Sequence, residues 1–435
     1  IFIFIIILFP FRNKNCFVLY FALILEYYIM EVIALVKRKE YLHRLIQWKD
    51  EQLIKVVTGI RRCGKSTMLM QYQEWLKANN ISDEQIISIN FEDLEYEELQ
   101  DYQKLYDYLK HRLCKGKMTY IFLDEIQEVK NWEKCINSLR VNEEYDFDIY
   151  ITGSNAKLLS GELSTYLAGR YVEFVIYPFS FKEFLETLKS IQQDVSTREA
   201  FQKYVKFGGM PFLYNLAFEE EASLQYLKDI YSSIILKDIT QRNKIRDTDM
   251  LERVISYLIM NVGNNFSATS ISKFFKSENR KVSVETILNY IKAAEESFLI
   301  YRVSRDDLIG KKVLNVNEKY YIADHGMREA ILGSNQRDIN QIFENIIYLE
   351  LLRKGYNVRV GKVDNLEVDF VCTKGNEKIY VQVAYLLASS ETIEREFTSL
   401  EKIDDNYPKY VISMDEFDMS RNGIKHVNII DFLIS

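Results

Sequence analysis

The sequence predicts an α/β protein with a parallel-sheet core first, a mainly helical middle, and a second α/β unit at the C-terminal end. Three observations carry that prediction. A glycine-rich GxxxxGKS pattern, Gly59 to Ser66, sits between an apolar strand-like run and a helical run. Two later apolar runs, TYIFLD and DFDIYITG, end in polar residues, as buried parallel strands do when a ligand lies beyond their carboxyl ends. The stretch from Gln341 to Ser413 reads as a helix, three strands, a helix and a strand.

At 435 residues the chain holds two to four domains with sizeable cores, at roughly 100–200 residues each. Apolar residues at 48%, charged ones at 27%, four prolines and sixteen glycines exclude collagen-like and wholly disordered chains. The net charge of −7, from 63 acids against 56 bases, argues against a surface coated in basic groups for tight, sequence-independent nucleic-acid binding. A local basic face stays open. Cys16, Cys63, Cys114, Cys135 and Cys372 are far apart and odd in number, which suits a reducing compartment better than a disulfide framework or structural zinc.

Residues 1–29 hold two apolar runs, IFIFIIILFPF and CFVLYFALIL, split by Arg12, Asn13, Lys14 and Asn15. Each is shorter than the ~20 residues a membrane helix needs, and the charge stands between the runs rather than before them, unlike a signal peptide. The expectation is that 1–29 is a non-native extension and Met30 the true start, with a membrane anchor as the alternative.

Gln52 to Thr58, QLIKVVT, has the composition of a buried strand, and GIRRCGKST follows at once. Gly59 and Gly64 let the main chain curl closely around phosphates, with N–H groups converging at a helix start. The candidate cradle is Gly59, Ile60, Arg61, Arg62, Cys63, Gly64, Lys65, Ser66 and Thr67. Lys65 would neutralise the β- and γ-phosphates and the Ser66 hydroxyl would bind Mg²⁺. Met68, Leu69, Tyr72, Trp75 and Leu76 recur at helical spacing behind it. TYIFLDEIQ then places Asp124 and Glu125 at the end of a strand. Asp124 would complete the metal shell and Glu125 would polarise the attacking water. DFDIYITGSN ends at the same sheet edge, where Asn155 or Ser154 could hydrogen-bond the γ-phosphate or the water. Arg170, before the strand Glu173–Ile176, is a candidate for charge supplied to the transition state of its own or a neighbouring subunit. Guanine recognition would want NKxD after a strand, whereas Asn243, Lys244 and Asp247 give NKxxD without one.

The stretches KVVTGIRRCGKST, YIFLDEIQ, ITGSNAKLLSGELSTYLAGRY, YPFSFKEF and FGGMPFLY resemble the additional-strand, catalytic-glutamate P-loop ATPases, and among them the prokaryotic AAA-like ATPases with a C-terminal domain of uncharacterised function. The resemblance runs from about Met30 to the C-terminus and implies ATP hydrolysis.

Gly208, Gly209, Met210 and Pro211 read as a turn closing the first domain. SATSISKFFKSE, SVETILNYIKAAEESF and a pair of strand-like runs around Gly310 give winged-helix order, with Val284, Ile287, Leu288, Ile291 and Phe298 as the second helix's apolar stripe. Lys273, Lys276, Arg280, Lys281, Arg302, Arg305, Lys311 and Lys312 offer phosphate contacts, while Glu285, Glu295 and Glu296 oppose them. DNA and protein partners both remain open. The C-terminal order, with Glu344, Glu367 and Asp369, resembles the PD-(D/E)xK nuclease-like fold, yet Gln382 and Ala384 stand where ExK is expected. Without that carboxylate and lysine, metal-dependent hydrolysis loses its usual means of holding and activating water, and a binding or structural role is expected.

The expected domains are 30–210, an AAA-like P-loop ATPase; 211–335, helical and winged-helix; and 336–435, nuclease-like and inactive. The expected function is cytoplasmic Mg²⁺-dependent ATP hydrolysis that switches the attached modules. The alternatives are a nucleic-acid-binding regulator or defence protein in which ATP only sets conformation, and a metal-dependent nuclease. Expected partners are ATP, DNA or a protein client, and further copies of the chain, with no membrane.

Overall fold

The computed structural model describes residues 36–141, 144–159, 169–308, 312–333 and 338–435. The run 1–29, Gly310 and Lys311 lie outside the described residues. The first unit comprises α1 (Lys39–Gln47), β1 (Ile54–Thr58), α2 (Lys65–Ala78), β2 (Ile86–Asn90), α3 (Tyr102–Arg112), β3 (Thr119–Asp124), α4 (Trp132–Arg140), β4 (Phe147–Gly153) and β5 (Tyr171–Val175). β1 and β3 are buried along their whole length, as central strands covered on both faces are. α2 buries Met68, Leu69, Tyr72 and Leu76 on one stripe.

All five strands run parallel, in the order β2-β3-β4-β1-β5. β4 therefore lies between the strand that feeds the glycine loop and the strand that ends in the two acids. That is the additional strand of the expected fold. β2 was not anticipated from the sequence; it is a short edge strand whose burial alternates. Within the sheet, Lys55 of β1 and Asp148 of β4 form an ion pair at 2.5 Å, with exposures of 0% and 1%. A charge sits in an otherwise apolar strand because its partner lies on the neighbouring one.

α5 (Phe181–Ile191) and α6 (Thr197–Phe207) each open with a capping box, Ser180 with Glu183 and Ser196 with Glu199. α7 (Glu220–Ser233) runs directly into a π-helical segment, Ile234–Gln241. Then come α8 (Thr248–Met260), α9 (Ala268–Ser277), α10 (Val284–Glu296) and a hairpin of β6 (Ile300–Asp307) and β7 (Lys312–Ile322). Of the stripe expected on α10, Ile287 and Ile291 are buried, whereas Val284 and Leu288 face solvent.

The remaining elements are α11 (His325–Leu332), α12 (Ile339–Arg353), β8 (Asn357–Val363), β9 (Leu366–Lys374), β10 (Glu377–Val383), α13 (Ser390–Glu401), β11 (Lys409–Ser413), β12 (Ile424–Asn428) and α14 (Ile429–Ile434). They join the hairpin in a seven-stranded mixed sheet, β12-β11-β10-β9-β8-β6-β7. Arg305–Asp307 of β6 pair parallel with Val360–Lys362 of β8. The hairpin is thus no free wing, and the sheet crosses the boundary expected at 335/336. Without β6, β8 would present an open edge. Among the described residues one apolar core takes in side chains from Tyr41 to Leu433, beside two smaller ones, one around Leu123 and Trp132 in the first unit and one around Phe397 and Leu400 in the last. Among the described residues no helix is long and apolar enough to cross a membrane.

Candidate functional site

The glycine loop leaves the carboxyl end of β1 with Gly59 at φ +143° and Gly64 at φ +97°. A Cβ on Gly59 would stand 2.2 Å from the carbonyl oxygen of Ile176, so only glycine fits there. Ile60 and Cys63 are buried, and burial pushes the Cys63 thiol up, so it anchors the loop rather than reacting. Arg62 is exposed, at φ +67°. Lys65 begins α2 and its ammonium folds back, donating to the carbonyls of Gly59 at 3.1 Å and Ile60 at 3.3 Å. It also lies 3.8 Å from Glu125 Oε1. Ser66 hydrogen-bonds Asp124.

The two acids end β3 and turn towards this loop. Asp124 accepts from the Thr152 hydroxyl of β4, whose oxygen in turn accepts the Glu125 main-chain N–H at 2.9 Å. Burial raises the Asp124 carboxyl, and the bonds from Ser66 and Thr152 offset only part of that. Glu125 has a left-handed backbone, φ +54°, a conformation held in place where a site needs it. Burial alone would raise its carboxyl. Lys65, the Gln127 amide, Arg61 and Arg242 outweigh burial and hold it below the ordinary value, so it is ionised.

A cavity of about 380 Å³ opens beside these groups, of a size that holds a small ligand. Arg61, Lys65, Ser66, Thr67 and Glu125 line it, together with Phe179, Phe212 and Tyr226. The rings of Phe212 and Tyr226 lie 5.0 Å apart. The Gly-Gly-Met-Pro segment does more than close a domain, because Pro211 also lines the cavity. Gly209 accepts from Phe179 N–H at 2.7 Å and donates its own N–H to Asp324 Oδ2 at 2.7 Å. The turn is a junction where the cavity meets the start of α11.

Of the two residues expected to sense the γ-phosphate, the Ser154 hydroxyl reaches the acids, 3.4 Å from Glu125 Oε2. Asn155 is buried next to it. Arg170 lies elsewhere. Its carbonyl accepts from Ile54 N–H at 3.0 Å, at the amino end of β1, and its side chain is exposed. It therefore stands about one strand length from its own phosphate loop. Sequence reasoning missed Thr152, Gln127, Asp238 and Arg242. Thr152 lies within the ITG run that ends β4; Asp238 and Arg242 carry no local signal, since only folding brings them to the loop.

In the C-terminal sheet the expected acids do converge. Lys319 of β7, which sequence reasoning passed over, places its ammonium 2.6 Å from Glu344, 2.7 Å from Glu367 and 3.7 Å from Asp369. Burial would lower this lysine, and the three carboxylates more than reverse that. The ammonium thus stands among all three acids, where a metal ion would otherwise have to sit. Gln382 accepts the Asp369 main-chain N–H at 3.2 Å and donates to Glu396 at 2.8 Å. The basic groups around α9, α10 and the hairpin are also partly engaged. Arg305 is buried against Glu367, Arg302 lies 3.2 Å from Glu295, and Arg280 lies 2.7 Å from Asp249. Glu295 and Glu296, two of the acids set against phosphate contact, are half-buried.

Residues 51–185 match the model of an AAA domain, and residues 198–338 that of a domain of unknown function, DUF8612. The chain is 40% identical over 403 residues to an uncharacterized protein of Haemophilus influenzae, across 92% of this chain and 99% of that one. It is 32% identical over 392 residues to the uncharacterized protein MJ1544 of Methanocaldococcus jannaschii, across 87% of this chain and 85% of that one. Among solved structures it is similar to the Walker-type ATPase PABY2304 of Pyrococcus abyssi, with a TM-score of 0.48 and 15% identity across 68% of this chain and 95% of that one. The loop, the paired acids and the five-stranded parallel sheet define an AAA-type P-loop ATPase fold. The chain belongs to the same family as the Haemophilus influenzae protein.

Proposed function

We propose that the protein binds ATP with Mg²⁺ and hydrolyses it, and that the cycle moves the helical and C-terminal parts as a switch. The observation that carries this reading is the convergence of Lys65, Ser66 and an ionised Glu125 on one cavity, with Asp124 hydrogen-bonded to Ser66 beside it. The loop amides and Lys65 would take the phosphates, Lys65 exchanging its carbonyl partners for them. A hydroxyl and a carboxylate already in contact, Ser66 and Asp124, are the oxygen donors a Mg²⁺ shell uses, and the cation would supply charge neutralisation for the phosphates. Glu125, held as a carboxylate, accepts the proton of the attacking water, and Ser154 orients that carboxylate. Arg170, exposed at the far edge of the sheet, would serve a neighbouring copy.

The partner we favour is a protein. Phe274, Val284 and Leu288 are exposed on α9 and α10, and three of the basic groups suited to phosphate contact are engaged in ion pairs. Nuclease activity is not part of this reading, since Lys319 occupies the acids that would hold metal.

Phosphate release by the purified full chain tests the proposal. The wild type is expected to hydrolyse Mg·ATP, and Lys65→Ala and Glu125→Gln to lose it by about 10²-fold or more, with Glu125→Gln still binding ATP. Hydrolysis unchanged in both variants would end the reading.

A further inference from the structure

Asp238 lies in the middle of the π-helical segment, 1% exposed, and both its oxygens are engaged, one of them by a residue that lines the nucleotide cavity. Oδ2 accepts from Arg61 Nε at 2.9 Å. Oδ1 accepts from the Ser154 hydroxyl at 3.2 Å and lies 3.2 Å from Arg242 Nη1. Each of these partners reaches the proposed hydrolytic centre. Arg61 belongs to the glycine loop and lines the cavity. The Ser154 hydroxyl, whose one proton can turn to Asp238 or to Glu125, lies 3.4 Å from Glu125 Oε2, and Arg242 donates to Ser154 at 3.3 Å. A single buried carboxylate thus gathers two arginines and the sensing hydroxyl at the edge of the cavity. It does so from a π turn, a rare helical form that concentrates at functional positions.

We propose that Asp238 is an internal stand-in for the terminal phosphate of a nucleoside triphosphate. It holds Arg61 and Arg242 while no triphosphate is present, and triphosphate binding draws Arg61 off it. The inference rests on the ATP reading of the cavity. A terminal phosphate offers three acceptor oxygens and close to two negative charges, against two oxygens and one charge on a carboxylate, so it outcompetes Asp238 for a guanidinium. A diphosphate lacks that group and leaves the latch closed. Losing Arg61 leaves Asp238 under-paired in a buried place, which a carboxylate tolerates poorly. The π segment can relieve this by rewinding towards α geometry, which turns the chain that follows by up to about 100°, one residue's worth of helix. That chain is α8, so the phosphate state of the cavity reaches the helical part directly. Asp238 is a positioning residue here, acting through the arginines.

The test is equilibrium binding of fluorescent ATP and ADP analogues, with Mg²⁺, to the full-length wild type, Asp238→Asn and Arg61→Gln. Asp238→Asn is expected to tighten the ATP analogue by about tenfold, the scale of one charge-assisted bond, with the ADP analogue within about twofold. Arg61→Gln is expected to lose the preference for ATP over ADP while still binding ADP, and it keeps the test decisive if Asp238→Asn does not fold. Equal shifts for both nucleotides in Asp238→Asn, or an intact preference in Arg61→Gln, overturn the latch and leave the ATP reading standing. A wild type that binds neither nucleotide overturns both.

Discussion

Two neighbouring residues at the junction between the nucleotide cavity and the C-terminal part, Asp324 and His325, are fully buried and shifted in opposite senses. Burial pushes the Asp324 carboxyl up to about 6 despite N–H donors from Gly209, Met327 and Gly326. Burial pushes His325 down to about 4, although its ring contacts the Tyr204 carbonyl at 2.6 Å. The raised carboxyl makes the folded state bind more protons than the unfolded one, so its contribution falls as pH rises from about 4 to about 6. The depressed imidazole makes the folded state bind fewer, so its contribution rises with pH between about 4 and 6.5. Each is worth about 3 kcal/mol, and in the wild type they largely cancel. Asp324→Asn is therefore expected to gain stability relative to wild type as pH rises through this window, and His325→Gln to lose it. Urea unfolding at several pH values measures both slopes, and parallel curves for the two variants would refute the assignment.

At the scale of elements, the turn that follows α6 matters more than its sequence suggests. A Cβ on Gly209 would lie 2.3 Å from the Phe179 carbonyl oxygen, and one on Gly326 would lie 2.0 Å from the Phe207 carbonyl oxygen. Two chain segments touch backbone to backbone there, and neither can retreat without moving Pro211 in the cavity wall or the start of α11. Gly209→Ala is expected to destabilise the fold by about 2 kcal/mol, as overpacking does, and to weaken ATP binding. Thermal unfolding and nucleotide titration check the two parts, and a variant with native affinity would argue that the turn does not shape the cavity. Elements built on continuous patterns were legible in advance. β3 follows from an unbroken apolar run, β1 and β4 from apolar runs that each carry one charge, Lys55 and Asp148, and α2 from its 3.6-residue repeat. Val284 and Leu288 misled because they join the stripe by spacing, while the face that α10 buries is decided by its neighbours.

Across the whole molecule, one core links the first unit to the last helix, and β6 completes the C-terminal sheet beside β8. A chain cut after residue 338 would expose the β6 edge and remove the apolar side chains of α12. It is expected to aggregate or to lose its sharp thermal transition, whereas the intact chain stays soluble. A soluble truncated chain with a sharp thermal transition would contradict this.

The chemistry of the phosphate loop was written in the sequence because it is local. Two glycines, a lysine and a serine at fixed spacing need only a strand before them and a helix after. Asp124 and Glu125 were legible for the same reason, as the end of an apolar strand. Only the tertiary structure decided what surrounds that chemistry. It brought Asp238 and Arg242 to Arg61, set Lys319 among three acids, moved Arg170 to the far end of the sheet and tied the hairpin to β8. Those partners lie tens to more than a hundred residues apart. Charge pairing and sheet closure act through space, and residue spacing along the chain carries no record of them.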